Sequence, residues 1–266
     1  MKATETNLKN KLDRLQKKVD ERSLSKELKL PDWPNTKRGT PNSFLRSALF
    51  SAIQSKDRVF LKNAVLASQE GFTVKFTGEQ LNQEDLTLWE TLVHLAKDQP
   101  LGNICEFTAY GILQSMGLGD GGIERDRLHI GIIRLGACMV EISHNGSRTY
   151  FSSLIDSGAK DELTSHYTIQ LNRQLIKLYR QNTWVDWEQR LQLRKKPLAQ
   201  ALHSYYSSHK KPYPVKIETL HQLSGSKNKQ MANFKTKIVS ALDELVNINF
   251  VKSYRIDGDM VIVKRK

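Results

Sequence analysis

The chain has 266 residues, a length that predicts about two domains, each large enough to bury a core of its own. Lys and Arg total 41 against 28 Asp and Glu, and the net charge of +13 indicates a polyanionic partner such as nucleic acid. The sequence has neither an apolar run long enough to span a bilayer nor a secretory signal, which excludes secreted and membrane-spanning classes and predicts a cytoplasmic protein without a membrane partner.

The positive charge is concentrated in the C-terminal part. The net charge is +4 over residues 1–30, −2 over residues 31–159 and +11 over residues 160–266. A region that binds a polyanion should hold the excess charge, so we expect the main binding surface in the last of these three regions.

The predicted elements begin with an N-terminal arm, residues 1–30, whose sparse apolar stripe suits at most a narrow helix. A first domain is predicted over residues 31–172. Its predicted elements in chain order are a helix over 44–53, a strand over 72–77, a helix capped by Asn82, a strand over 104–107, a helix capped by Thr108 and a helix over 123–137. The last two helices, joined by a glycine-rich turn, predict a helix-turn-helix.

A hairpin follows the helix-turn-helix. Residues 139–143 and 149–154 flank Asn145-Gly146, which is a strong signal for a tight turn between two strands. A third extended stretch over residues 167–171 could complete a small antiparallel sheet. Helices followed by a hairpin predict that residues 31–172 form a winged-helix domain.

The same order of elements recurs near the C-terminus. After a connecting helical segment over residues 173–196, a second winged-helix domain is predicted over residues 197–266. Its predicted elements are helices over 197–206, 216–223 and 230–246, and a hairpin of strands 250–255 and 260–263 around Asp257-Gly258. The predicted fold class is therefore α+β, with tandem winged-helix domains.

The third helix of the second domain is the predicted DNA reader. On a helical wheel its apolar side chains, among them Met231 and Phe234, fall on one side, and a polar set falls opposite them. That polar set consists of Lys229, Asn233, Thr236, Lys237 and Ser240. Amide, ammonium and threonine side chains can read base edges in a major groove, whereas Lys227 and Lys229 at the helix start suit phosphates.

Further contacts with the DNA backbone are expected from basic residues on the hairpins and on the first domain. The hairpin of the second domain is predicted to contribute Arg255, Lys264 and Arg265. The equivalent positions of the first domain are Arg127, Arg134 and Arg148. Because the first domain is net acidic, it is expected to be the weaker binder.

Several segments resemble the TrfA family of plasmid replication initiators and, more distantly, iteron-binding Rep proteins built from two winged helices. The segments that carry the resemblance are LPDWPNTKRGTPNSFLRSALFSAI (30–53), HLAKDQPLGNICEFT (94–108), DWEQRLQLRKKPLAQALHSYYSSH (186–209), PYPVKIETLHQLSGS (212–226) and MANFKTKIVSALDEL (231–245). The resemblance implies binding to origin repeats called iterons, melting of an AT-rich region, and recruitment of the host initiator DnaA and the replicative helicase.

The resemblance also assigns roles within the chain. It implies that residues 234–237 contact DNA, which adds Lys235, placed near the core boundary of the helix, as a phosphate ligand. It further implies that the first domain binds flanking DNA and supports a homodimer in equilibrium with the monomer.

No enzymatic activity, metal or cofactor is predicted. A phosphate-binding G-x-x-x-x-G-K-[ST] loop is absent, and Cys105 and Cys138 lack metal-ligand spacing and are expected to be buried thiols. A winged-helix transcriptional repressor remains the alternative. A nicking initiator that uses Tyr205 or Tyr206 as nucleophile remains a weaker one, because its chemistry needs clustered metal ligands.

Overall fold

Two separate hydrophobic cores organise the protein. The computed structural model describes residues 30–99, 103–146 and 149–266. One core gathers buried side chains between Leu30 and Val185, and the other gathers those between Leu193 and Val263. We call residues 30–186 the first unit and residues 193–266 the second unit. The predicted N-terminal arm lies outside the described residues except for Leu30, which is buried in the first core.

The first unit combines helices of different lengths with three antiparallel sheets. Its helices are α1 (Asn42–Leu45), α2 (Gln83–Lys97), α3 (Ala109–Ser115), α4 (Gly122–Ala137) and α5 (Arg173–Ile176). Its strands are β1 (Lys37–Pro41), β2 (Phe60–Leu66), β3 (Phe72–Glu79), β4 (Ile104–Thr108), β5 (Met139–His144), β6 (Tyr150–Ser152), β7 (Ile155–Asp161), β8 (His166–Leu171) and β9 (Asn182–Asp186). The strand orders of the sheets are β1-β9, β2-β3-β5-β6 and β4-β8-β7.

The second unit follows a short helix, α6 (Trp187–Gln192). Its elements are α7 (Pro197–Ser207), β10 (Val215–Lys216), α8 (Ile217–Leu223), α9 (Met231–Asn247), β11 (Val251–Asp257) and β12 (Met260–Arg265). The strand order of its sheet is β10-β12-β11. Every helix and strand predicted in this unit is confirmed within one or two residues, including the turn in which Gly258 has a φ of +61°.

One topology is present twice. In the second unit, α7-β10-α8-α9-β11-β12 forms a helix, a strand, two helices and a hairpin. In the first unit, α2-β4-α3-α4-β7-β8 runs in the same order, and both sheets place the last strand between the other two. The first unit adds strands β5 and β6 between its third helix and its hairpin.

The predicted hairpin around Asn145-Gly146 is confirmed as a hairpin, with Val140 opposite Ser152, but it belongs to a different sheet. It extends β3, whereas the predicted third strand, now β8, pairs with β4 and β7. The hairpin that corresponds to that of the second unit is β7–β8. Strand β7 was not predicted, because only its first residue, Ile155, is a buried apolar residue.

The helix predicted over residues 44–53 is wrong beyond Leu45. The apolar side chains of this stretch are buried as expected, but its backbone N–H groups find partners elsewhere. Ala48 donates to the carbonyl of Ala67 at 2.8 Å, and Ser51 donates to that of Leu81 at 2.9 Å. Long-range hydrogen bonds therefore replace the helical ones.

Local capping signals were more reliable. The side chain of Asn82 accepts hydrogen bonds from the backbone N–H groups of Glu84 and Asp85, and the Asp85 carboxylate accepts one from the backbone of Asn82. This reciprocal capping box fixes the start of α2. Thr108 caps α3 as predicted, through a hydrogen bond from the N–H of Gly111.

The segment predicted as a helical connection, residues 173–196, also contains a strand. β9 pairs with β1 along five residues, from Asn182 opposite Pro41 to Asp186 opposite Lys37. Val185 on this strand belongs to the first core. The pairing partner lies about 145 residues earlier in the chain, so no local pattern indicated it.

Helix α6 joins the two units through buried polar contacts. The Arg190 guanidinium is fully buried and pairs with the fully buried Glu90 of α2, with Nε 2.8 Å from Oε2. The same guanidinium donates to Ser204 Oγ of α7 at 3.0 Å. Next to it, the side-chain amide of Gln189 donates to the carbonyl of Ile248 in the second unit at 3.3 Å. Both units are thus hydrogen-bonded to the same helical turn.

Candidate nucleic-acid interface

Helix α9 has one buried face and one exposed polar face. Phe234, Ile238, Ala241, Leu242 and Leu245 are buried in the second core. The exposed face carries most of the predicted reading set, namely Asn233, Lys235, Thr236, Lys237 and Ser240, and the exposed Lys229 lies just before the helix. Met231, expected on the core side, is 42% exposed because it lies at the first position of the helix, beyond the edge of the core.

Local hydrogen bonds hold part of this exposed face. The Asn233 amide donates to Gln230 Oε1 at 2.9 Å, and the Thr236 hydroxyl donates to the carbonyl of Ala232 at 3.3 Å. Lys229 and Lys237 have no hydrogen-bond or ion-pair partner among the described residues. Those two ammonium groups are therefore available to an external anion.

Two lysines of the predicted set also make contacts that position the helix. The Lys235 ammonium donates to the carbonyl of Gly258 at 3.0 Å and so ties the hairpin turn to α9. The Lys227 ammonium donates to the carbonyl of Asp57 in the first unit. The start of α9 is thereby linked to residues 54–58, which include a single 3-10 turn at Ser55–Asp57.

The hairpin β11–β12 separates its predicted basic residues onto two faces. Arg255 and Lys264 are exposed. Arg265 instead shares a face with Val261 and Val263, which are buried, because side chains alternate along a strand.

Arg265 is occupied within the second unit, which differs from its expected DNA contact. Its guanidinium donates to the carbonyls of Tyr206 at 3.2 Å and His209 at 3.0 Å, and lies 4.8 Å from the ring centroid of Phe250. Burial lowers the pKa of this guanidinium. The period of two along β12 was the signal that could have separated Arg265 from Lys264.

The first unit exposes less positive charge. Arg127 of α4 is exposed, but Arg134 on the same helix binds Asp85 at 2.7 Å and Glu79 at 2.9 Å and is mostly buried. Because its partners neutralise it, Arg134 differs from the expected phosphate ligand. Arg148 lies outside the described residues.

The tyrosine and histidine cluster of α7 is internal. Tyr206 and His203 are fully buried, and Tyr205 is nearly so, with its hydroxyl donating to Gln69 Oε1 at 2.8 Å. Burial raises the pKa of Tyr205 to about 12 and lowers that of His203 to about 3.

The part of the chain that the structure describes holds no group of three or more His, Cys, Asp or Glu side chains arranged to bind a metal ion. No helix there combines the length and apolarity needed to cross a bilayer. Cys105 and Cys138 are free and buried, as predicted, and burial raises the pKa of their thiols to about 12 and about 11.

Comparison with known proteins gives three relevant similarities. The sequence model of the TrfA protein family matches residues 1–265. The plasmid replication initiator protein TrfA of Escherichia coli is 28% identical over 245 residues, which cover 88% of this chain. The chain spans 63% of the length of that relative. The resemblance read from the sequence is confirmed.

The third similarity is to crystal structures of domains 2 and 3 of RctB. The selenomethionine derivative aligns with a TM-score of 0.59 and 13% identity, over 85% of this chain and 98% of that chain. A second RctB crystal structure aligns with a TM-score of 0.53 and 15% identity, over 82% of this chain and 95% of that chain. At these identities the likeness concerns the fold alone.

Proposed function

We infer, from the fact that this chain belongs to the TrfA protein family, that it initiates plasmid replication by binding repeated sites, or iterons, at an origin. The observation that carries this proposal is the exposed face of α9, where the unpaired ammonium group of Lys237, and that of Lys229 just before the helix, accompany amide and hydroxyl side chains. The chain spans only 63% of the length of the Escherichia coli plasmid replication initiator. The proposal that this chain has the same activity therefore rests on residues of the chain itself.

In this proposal both repeats of the shared topology are winged helices, and α9 is the helix that enters the major groove. Asn233, Thr236 and Ser240 face bases, where amide and hydroxyl groups discriminate among base edges. Lys229, Lys237 and Lys235 bind phosphates, as do Arg255 and Lys264 from the hairpin.

The start of α9 suits a phosphate for a second reason. No side chain caps its first turn, and that turn contains no acidic residue. Backbone N–H groups at a helix start carry partial positive charge and bind anions. Lys227 and Lys229 precede this turn and add to the attraction.

The first unit is proposed to bind flanking DNA weakly through Arg127 and to form a homodimer in equilibrium with the monomer. The dimer is proposed because the chain belongs to the TrfA protein family.

We propose that the protein acts in the cytoplasm without catalysis of its own, so that binding energy and host proteins open the strands. The buried tyrosines of α7 support this, because a nucleophilic tyrosine must reach the DNA and lose its proton, and burial raises the pKa of both Tyr205 and Tyr206. Melting of an AT-rich tract and recruitment of DnaA and the replicative helicase belong to the same proposal.

Footprinting combined with permanganate probing tests this function. On the origin of the plasmid that carries the gene, we expect protected direct repeats and permanganate-reactive thymines in an adjacent AT-rich tract. The reactivity should require this protein together with DnaA. Protection of repeats without reactive thymines would instead support a transcriptional repressor, and no protection at all would contradict both.

A further inference from the structure

A cleft of about 690 Å³ lies where the two units meet. Its walls are residues 54–58 with their 3-10 turn, the first turns of α2, the end of α3 with the turn that follows it, one side of α4 and the segment between α6 and α7. Leu88, Leu113 and Leu128, which are buried in the first core, form part of its floor. The cleft is distinct from the exposed face of α9.

The cationic side chains that line this cleft fall into two groups. Arg58 and Arg134 are neutralised, because both bind the buried Asp85 carboxylate, at 2.9 and 2.7 Å. The other group is exposed and has no hydrogen-bond or ion-pair partner among the described residues. This group consists of Lys56, Arg127, Arg194 and Lys195.

The carboxylates of Glu84 and Glu124 also line the cleft, so the four unpaired cations outnumber these two carboxylates. The excess positive charges on a concave surface repel one another, and the cleft walls concentrate their field. Lys195 also has a φ of +66°, a left-handed conformation that is costly for a residue other than glycine. Such a conformation persists where the surrounding structure enforces it, and it is commonly found at binding sites. An anionic occupant would relieve the repulsion.

The position of these cations identifies the occupant. One of the cleft cations, Arg127, lies on α4, which is the third helix of the first repeat. Another, Lys56, neighbours Asp57, whose carbonyl accepts the hydrogen bond from Lys227 at the start of α9. The cations of this one cleft are therefore linked to the third helices of both repeats, through Arg127 to α4 and through Lys56 and Lys227 to α9.

We propose that Lys56, Arg194 and Lys195, together with Arg127, bind phosphates of the DNA segment between the stretches contacted by the first unit and by α9. This inference rests on the proposed function and adds a third contact that is independent of sequence. A DNA backbone suits these cations better than an acidic peptide confined to the cleft, because an extended polyanion can contact them and α9 together.

The test compares two variants of the full chain that lose the same charge. The cleft variant carries Lys56→Gln, Arg194→Gln and Lys195→Gln. The control variant carries Lys177→Gln, Lys210→Gln and Lys211→Gln, none of which line the cleft. Affinity is measured against salt concentration with a duplex of about 30 base pairs, near three helical turns, selected from random sequence by the unsubstituted protein.

The plot of log affinity against log salt has a negative slope. We expect this slope to become shallower by about 2.7 in the cleft variant, or roughly 0.9 for each phosphate that the variant no longer binds. The slope of the control variant should stay near that of the unsubstituted protein, and the base preference should be the same in all three. Circular dichroism spectra that match verify that the variants are folded.

The other outcomes overturn the proposal in distinguishable ways. An unchanged slope in the cleft variant refutes the phosphate contact but leaves DNA binding by α9 intact. If the slope of the control variant becomes shallower by the same amount, the effect is due to net charge alone. An unchanged slope together with loss of binding to a poly-glutamate peptide identifies an acidic protein partner instead. A flat plot for the unsubstituted protein refutes the proposed function itself.

Discussion

The two repeats have the same topology but very different third helices. On α9 the exposed face is basic and polar, whereas on α4 Ile123, Ile130 and Ile133 are each more than half exposed. Both helices bury an apolar face in their own cores. The comparison teaches that the core residues specify the repeated architecture, while the exposed residues decide what each copy binds.

The first prediction concerns the buried ion pair at α6, the helix that joins the two repeats, and its expected effect is the largest. Arg190→Met should lower the free energy of unfolding by about 3–5 kcal/mol, because it leaves the Glu90 carboxylate buried without its partner. Guanidinium denaturation followed by tryptophan fluorescence measures this. Adding Glu90→Leu to Arg190→Met should recover most of the loss, and equal destabilisation in the single and double variants would contradict the role of the pair.

The second prediction separates the two third helices. Thr236→Ala on α9 should cost about 1–3 kcal/mol of discrimination at one base position, the usual penalty for a mismatched base pair, because the proposed complex places the threonine methyl and hydroxyl groups against a base edge. Ile130→Ala on α4 should leave discrimination unchanged. Competition binding with single-base variants of the selected duplex checks both, and equal losses from the two substitutions would remove the functional distinction between the repeats.

The third prediction compares the first helix of each repeat, since both carry a histidine with a depressed pKa. Burial lowers the pKa of His94 on α2 to about 4 and that of His203 on α7 to about 3. Well above pH 6.5 both are neutral in the folded and unfolded states, and there is no effect on stability. Below pH 6.5 the unfolded chain binds protons that the folded chain excludes, so the free energy of unfolding falls as the pH falls.

For the fully buried His203 this decrease should be about 1.4 kcal/mol per pH unit between about pH 6 and pH 4. Denaturation curves at several pH values measure the slope. His203→Gln should flatten it, while the contribution of His94 should remain. A slope that is identical in the variant would show that His203 titrates normally in the folded state.

The secondary-structure elements were predicted most accurately where neighbouring residues determine the local structure. The cap at Asn82, the Asp257-Gly258 turn and the amphipathic spacing of α9 each depend on neighbouring residues, and all three were predicted. The stretch after Leu45 failed because its backbone bonds to Ala67 and Leu81, which no local pattern reveals.

The candidate site shows the same division. The exposure of the α9 face followed from helical periodicity alone. The internal engagement of Arg134 depends on Asp85 and Glu79, about fifty residues away in the chain, and could not be read from charge. Arg127 of the cleft was predicted, whereas Lys56, Arg194 and Lys195 were missed because they come together only when the two units meet.

The contacts on both sides of α6 have a geometric consequence. Since Arg190 and Gln189 bind both units, the angle between α4 and α9 is set before any duplex is encountered. Double-stranded DNA completes one rotation about every 10 base pairs. Binding by a protein with a preset angle therefore depends on the rotational phase of the duplex. Inserting half a helical turn of DNA within one binding site would move one of the two contacted stretches to the far side of the duplex.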